Sequence, residues 1–194
     1  MADLIFKYGV MGSAKTAQAL TTAYNYEERG QKVLLCKPSI DVRDGQNVIA
    51  SRIGLKRDCI ALSELCEMSF VDIAAYNIII VDEVQFATKE QVVFLSEIVD
   101  KLDIPVITYG LKTDFRNELF EGSTAILSIA DKIEEVRAVC WCGRDAKCNA
   151  RYNEKGIVRV GEQVMLGAND KYISLCRKHF NEGNFGNLLS KKGQ

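Results

Sequence analysis

The sequence predicts an α/β fold, a parallel sheet with helices on both faces, followed by a small metal-stapled β lobe. Three observations carry that prediction. An apolar run, Leu4-Ile5-Phe6, leads through Gly9-Val10-Met11-Gly12-Ser13-Ala14-Lys15-Thr16 into a helical pattern at Ala17, Ala19-Leu20 and Ala23-Tyr24. A second run, Asn77-Ile78-Ile79-Ile80-Val81, is apolar without alternation after its Asn and ends in Asp82-Glu83, as a strand buried on both faces of a parallel sheet reads. The texture changes near Ala138, and four of the seven cysteines and the single histidine fall beyond it.

The elements follow in order. Asp3 to Tyr8 reads as the first strand and Ala14 to about Glu28 as the first helix, with Gly30 as its stop. Lys32 to Lys37, centred on Val33-Leu34-Leu35-Cys36, is the second strand. Ser39 to Gln46 is a polar loop that carries Asp41, Arg43 and Asp44. Cys59 to Leu62 is a short strand, and Ser63 caps a helix to about Tyr76 that buries Leu65, Met68, Val71 and Ile73-Ala74. Thr88 caps a helix to about Leu102 with Val92-Val93, Leu95 and Ile98-Val99 as its apolar stripe. Ile104 to Tyr109 is the next strand, broken by Gly110, and Thr124 to Ile129 reads as a further strand. Pro38 and Pro105 fit strand edges. Strands alternating with helices imply right-handed crossovers and a layered sheet. Tyr152 to Gly161 reads as a polar hairpin, and the stretch after Phe180 as a frayed tail. The expected organisation is therefore an α/β domain over 1–138, a metal-binding lobe over 139–181 and a tail over 182–194.

Composition narrows the function classes. With 194 residues, 47% of them apolar and 26% charged, the chain can bury a sizeable core. A net charge of -1 argues against a basic nucleic-acid-binding face. No apolar run is long enough to span a bilayer, and Met1-Ala2-Asp3-Leu4 does not open a signal peptide. The expectation is a cytoplasmic protein with no nucleic-acid and no membrane partner. An odd cysteine count argues against a disulfide framework; Cys36, Cys59 and Cys66, in apolar segments, read as small buried hydrophobes.

The stretch Gly9 to Thr16 has the strand–loop–helix order of a phosphate-binding loop. Backbone N–H groups at a helix start point at an anion, and the helix dipole favours negative charge there. Lys15 would reach the β/γ-phosphates and Thr16 would ligate Mg²⁺. Ala14 stands where such a loop carries Gly: if the position needs positive φ, the methyl group costs about 1–2 kcal/mol; if not, it only crowds the phosphate. Asp82 and Glu83 arrive at the carboxyl edge of the sheet, where one acid can support Mg²⁺ and the other take a proton from an attacking hydroxyl. After another strand, Gly110-Leu111-Lys112-Thr113-Asp114-Phe115-Arg116 sets a Phe beside an Arg, suited to a flat heterocycle and a phosphate unless Phe115 simply packs under its loop. Cys140-x-Cys142 and Cys176-x-x-His179 form two chelating pairs, enough for a closed structural Zn²⁺ site. Cys148 is a rival ligand, set aside because Cys140 and Cys142 already pair.

Taken together these residues resemble the type II thymidine kinases, the family that includes the vertebrate cytosolic enzyme, and most of all its bacterial members. The resemblance runs from Leu4 to Phe180. It rests on Gly9-x-Met11 with Lys15-Thr16, Tyr24-Asn25-Tyr26-Glu27-Glu28-Arg29-Gly30, Ser51-Arg52-Ile53-Gly54, Asp82-Glu83-x-Gln85-Phe86, Tyr109 to Arg116, and Gly161-Glu162-Gln163 followed by Tyr172 and Cys176-Arg177-Lys178-His179.

The resemblance implies a RecA-like P-loop core and transfer of the ATP γ-phosphate to the 5′-hydroxyl of thymidine, or of deoxyuridine. It implies Glu83 as general base. Gly9 to Thr16, Arg43, Asp82, Glu83, Val84 and Gln85 would bind ATP phosphates, with Thr16 and Asp82 on Mg²⁺. Met11, Asp41, Phe86, Leu111, Phe115 and Tyr172 would meet the nucleoside, together with Val164, Met165, Leu166 and Gly167 of a lasso loop carried by the zinc lobe. It further implies a homotetramer with thymidine triphosphate as feedback inhibitor. Ala14 departs from the family pattern, and Gly12 stands where many members carry a larger residue. The alternative reading is a catalytically weak or inactive nucleotide-binding, sensing protein.

Overall fold

The computed structural model describes residues 1–40, 45, 47–163 and 172–186. Its larger unit is a six-stranded, wholly parallel sheet in the order β5-β2-β6-β7-β1-β8. The strands are β1 (Leu4–Tyr8), β2 (Val33–Lys37), β5 (Ile60–Ala61), β6 (Ile78–Val81), β7 (Val106–Gly110) and β8 (Lys132–Glu135). Because every strand runs the same way, all carboxyl ends meet at one edge, where α/β sheets bind ligands.

The unbroken apolar run at 78–81 explains why β6 is central. Ile79 and Val81 face one core, Ile78 and Ile80 the other, and all four are fully buried. Burying each such side chain contributes about 1.5–3 kcal/mol. One face is covered by α1 (Lys15–Glu27), through Ala19, Leu20 and Ala23. The other is covered by α2 (Leu62–Glu67), α4 (Lys89–Leu102) and α5 (Glu121–Ile129), through Leu62, Leu65, Val92, Leu95, Ile98 and Ile126. Thr88 caps α4 as expected, in a reciprocal capping box with Gln91.

Three elements differ from the sequence reading. The helix expected over 63–76 is two pieces, α2 and α3 (Phe70–Ile73). Met68 is extended, and the Ser69 side chain accepts the Asp72 amide, restarting the helix. Val71 and Ala74 consequently lie exposed, and Met68 only half-buried. The stretch Thr124 to Ile129 is the end of α5, not a strand; Thr124 and Ser128 return their hydroxyls to carbonyls four residues back. The strand lies just beyond, as β8, whose residues Lys-Ile-Glu-Glu are all exposed on the sheet's edge. An edge strand protected by charge gives no apolar signal. On α4, Val93 is exposed rather than part of the buried stripe.

Two smaller sheets complete the architecture. β3 (Val48–Ala50) and β4 (Lys56–Asp58) form an antiparallel pair. β9 (Cys148–Asn153), β10 (Gly156–Val158) and β11 (Tyr172–Leu175) form an antiparallel sheet in the order β10-β9-β11, followed by α6 (Arg177–Glu182). The β9–β10 turn is the hairpin expected near Tyr152. Among the described residues no helix is long and apolar enough to cross a membrane.

Candidate active site

The loop after β1 is tight because its glycines allow it. A Cβ at Gly9 would sit 2.5 Å from both Ser13 Oγ and the Val136 carbonyl. Gly12 and Ala14 both take left-handed backbone, with φ of 76° and 62°. Position 14 therefore does need positive φ, and Ala14 bears the penalty of about 1–2 kcal/mol. Ala14 is also the N-cap of α1 and has no side-chain group to cap with. The first helical N–H groups are thus left for a ligand at the positive end of the helix. Lys15 is buried, and its ammonium donates to the carbonyls of Gly9 and Val10, both at 2.9 Å, and to Ser13 Oγ at 3.3 Å.

Opposite, at the end of β6, Asp82 Oδ2 accepts the Thr16 hydroxyl at 2.7 Å. Asp82 Oδ1 is buried with no partner among the described residues. Burial, then the charge of Glu83, push the Asp82 carboxyl well above the usual carboxylate range, against the opposing Thr16 hydroxyl. A desolvated acid with an orphaned oxygen beside a threonine hydroxyl has the chemistry of a Mg²⁺ site. Glu83 takes left-handed backbone, φ 54°, and opens a 3₁₀ turn over Val84–Phe86. Strain of this kind persists where surrounding structure over-determines it. Here that structure is Gln85, which is buried. Its Nε2 donates to Glu83 Oε2, and its Oε1 accepts the Leu111 amide at 3.0 Å. The Gln85 side chain passes over Gly110, where a Cβ would lie 2.7 Å from Oε1.

Between these walls lies a cavity of about 430 Å³. Lys15, Thr16, Asp82, Glu83 and Gln85 line one part of it; Met11, Phe86, Leu111, Phe115 and Tyr172 line another. Gly12 and Ala14 also face it, whereas Gly9, Val10 and Ser13 shape the loop without lining it. Val84 is fully buried in the apolar core and does not line the cavity. Phe115 is buried but keeps a place in the wall, its ring covered by the Arg151 guanidinium at 3.8 Å. Arg116 turns away from the role suggested by the sequence: it pairs with Asp114 at 3.0 Å and Glu118 at 2.7 Å. Asp41, Arg43, Val164, Met165, Leu166 and Gly167 lie outside the described residues.

The second lobe gathers Cys140, Cys142, Cys176 and His179, with their ligand atoms all within 4.8 Å of one another. A tetrahedral Zn²⁺, with Zn–S of about 2.3 Å and Zn–N of about 2.0 Å, sets S···S near about 3.8 Å and S···N near about 3.5 Å. Cys142 and Cys176 Sγ are 4.0 Å apart, and His179 Nδ1 is 3.5 Å from Cys140 and from Cys176. The cluster can therefore hold a closed four-coordinate metal ion. Cys148 is not among the four.

Comparison with known proteins follows the same lines. The family described as thymidine kinase matches residues 2–180. This chain belongs to the thymidine kinase family. A thymidine kinase of Enterococcus faecalis is 46% identical over 184 residues, covering 93% of this chain and 95% of that protein. One of Lactococcus lactis is 46% identical over 186 residues, covering 93% and 97%. One of Pasteurella multocida is 45% identical over 189 residues, covering 94% and 98%.

Several residues around this thymidine kinase family site escape sequence reading. Lys37, fully buried at the end of β2, lines the cavity and donates to the carbonyls of Gly45 and Val48 at 2.7 and 2.8 Å. A lysine closing an otherwise apolar strand was the available signal. Asn149 and Gln163 also line the cavity. Arg151 donates to the Tyr172 hydroxyl and to the Gln163 carbonyl. Asn149 and Arg151 alternate with the buried Cys148 and Ala150 along β9, a pattern that reads as an ordinary solvent-facing side of a strand although both are buried.

Proposed function

We propose that the chain transfers the γ-phosphoryl group of ATP to the 5′-hydroxyl of thymidine, giving thymidine monophosphate. The observation that carries this reading is a cavity that joins an uncapped phosphate loop to Glu83, with an apolar wall of Phe86, Leu111 and Phe115 beside it. Phosphoryl transfer needs positioning and charge neutralisation more than covalent chemistry. The amides at the start of α1 and the Lys15 ammonium receive the phosphates. Glu83, oriented by Gln85, accepts the proton of the 5′-hydroxyl as it attacks. Thr16 and Asp82 would hold Mg²⁺, which when bound would neutralise phosphate charge. Arg43 and Asp41 contribute at the phosphate and nucleoside sides.

The thymine ring lies among Met11, Phe86, Leu111, Phe115 and Tyr172, and we assign Val164, Met165, Leu166 and Gly167 to nucleoside binding as well. Deoxyuridine, lacking one methyl group, is a second acceptor, since a methyl in an apolar pocket discriminates by only about 10–200-fold. We assign 1–138 to the nucleotide-binding unit, 139–181 to the lobe and 182–194 to a tail. Zn²⁺ on Cys140, Cys142, Cys176 and His179 is structural, because four protein ligands leave no open position. The assembly is a homotetramer in the cytoplasm, inhibited by thymidine triphosphate.

The test is thymidine-dependent ADP formation with Mg·ATP. Glu83→Gln is expected to lower kcat by about 10²–10⁴-fold with the affinities for both substrates kept. Full activity in that variant would remove Glu83 from the base role.

A further inference from the structure

We propose that Asn149 is a positioning residue that couples the donor and acceptor halves of the site, so that thymidine and ATP each raise the other's affinity through this one side chain. The proposal rests on the reading of the cavity given above. Asn149 is 3% exposed and sits on β9, the residue after Cys148. Its Oδ1 accepts the Met11 amide at 2.8 Å, and its Nδ2 donates to the Thr113 carbonyl at 3.0 Å. Met11 belongs to the phosphate loop. Thr113 belongs to the loop that carries Leu111 and Phe115. The two loops leave paired strands, with the Gly9 N–H still donating to the Gly110 carbonyl at 3.2 Å, and beyond that point this one side-chain amide bridges their backbones.

The chemistry of the bridge is specific. It needs an acceptor toward a backbone N–H and a donor toward a backbone carbonyl, from one rigid group. Asn supplies both. Asp offers acceptors to both partners and so opposes the Thr113 carbonyl; an aliphatic residue offers neither. The partners also fix which way the amide faces, since a backbone N–H only donates and a carbonyl only accepts.

A second contact makes Met11 the element that moves or stays as a unit. Ser174 on β11 pairs directly across from Asn149 on β9. The Ser174 hydroxyl donates to the Met11 carbonyl. The neighbouring sheet thus holds both polar groups of Met11, from two facing positions. Leu175 and Cys148 form the next pair of the same ladder, and Cys176 follows it into the metal cluster. An ordering of the phosphate loop by ATP is passed through Asn149 to the Thr113 backbone, and an ordering of the acceptor loop by thymidine returns along the same bonds. Coupling of binding is reciprocal, and built contacts of this kind change affinity by about 5–150-fold.

The experiment measures the dissociation constant of a non-hydrolysable ATP analogue with Mg²⁺, by calorimetry, with and without saturating thymidine. In the wild-type chain the ratio of the two constants is expected to be at least about fivefold. In Asn149→Asp, which keeps the acceptor for Met11 and loses the donor for Thr113, the ratio is expected to fall close to one. Ser174→Ala is expected to weaken the ATP analogue while keeping the ratio. A wild-type ratio of one, or an unchanged ratio in Asn149→Asp, overturns the coupling. Amide hydrogen exchange gives a second readout, taken with the ATP analogue because thymidine itself meets Met11: the analogue alone is expected to slow exchange of the amides at 113–115 in the wild-type chain and not in Asn149→Asp, and equal slowing in both overturns the proposal. Binding of both ligands without coupling refutes this proposal alone; binding of neither refutes the reading of the cavity and the coupling with it.

Discussion

The two regions of this molecule are held together by different physics. In the six-stranded sheet, strands such as Ile78–Val81 are buried on both faces, and apolar clusters fill the space above and below. The β9–β11 lobe has one small cluster, in which Cys140 and Cys176 sit beside Ala146, Ala150, Leu175 and Phe180. Two of the lobe's buried residues are polar: Asn149 bonds to backbone of the other region, and Arg151 stacks on Phe115 there while its hydrogen bonds stay on Tyr172 and Gln163. A unit that small cannot bury enough apolar area to offset chain entropy and needs a staple. The comparison teaches that the sheet provides stability, part of which is spent on strain and charge at its carboxyl edge, while the lobe provides placement.

The largest effect should come from removing the staple. Structural Zn²⁺ in small domains contributes about 10–16 kcal/mol of apparent binding energy that is also folding energy. Chelation, or Cys142→Ser, is expected to abolish metal binding and unfold the lobe, while most far-ultraviolet dichroism from the sheet and its helices remains. Trp141, the only tryptophan, stacks on His179 at 4.3 Å and reports the lobe by fluorescence. Cys148→Ser should retain about one zinc per chain; loss there, with retention in Cys142→Ser, would move the ligand and redraw the comparison.

A cavity in the sheet should act on the whole chain instead. Ile80→Ala is expected to cost about 2–5 kcal/mol in urea unfolding, with sheet and lobe signals lost together. A lobe signal that survived the melting of the sheet would break the claim that the lobe depends on it.

A smaller and pH-dependent effect is expected at Asp82, whose pKa is raised from 3.8 to about 7. Between those values the unfolded chain releases a proton that the folded chain keeps, so this group lowers stability as pH rises from about 4 to about 7. Asp82→Asn should therefore raise the melting temperature of the zinc-loaded chain at pH 8 in the absence of nucleotide and Mg²⁺, with the gain shrinking toward pH 4, while turnover with Mg·ATP is lost. A melting temperature that fell at pH 8 would contradict the burial of an unpaired charge at the sheet's edge.

The smallest effect is expected at Ala14. Relief of its left-handed backbone by Ala14→Gly should stabilise the chain by at most about 1 kcal/mol, because glycine also loses more freedom on folding. Thermal melting would measure it, and a destabilised variant would count against strain at that position.

The parts of this protein legible in its sequence are those whose signal is local. The strand–loop–helix at Gly9 to Thr16, the run that ends in Asp82-Glu83, and the cap at Thr88 each lie within one turn or one strand. The metal cluster was legible because its ligands come as two close pairs, 140 with 142 and 176 with 179. Where a local signal was weak or shared, the reading failed: Thr124 to Ile129 has an apolar texture that suits helix or strand, and Ser69 could continue a helix or restart one.

The sequence by itself determined the class of fold, the loop, the paired acids and the ligand pairs, because hydrophobic period and short spacing act between near neighbours. Only the tertiary structure decided the placement of Asn149 between Met11 and Thr113, of Arg151 over Phe115, of Lys37 against Gly45 and Val48, and of Gln85 between Glu83 and Leu111. Most of these bonds join residues far apart in the chain, and all join groups whose positions are set by the packing of whole elements. A buried polar group is satisfied by whichever backbone group folding brings within about 3 Å, and no periodicity along the chain records which one that will be.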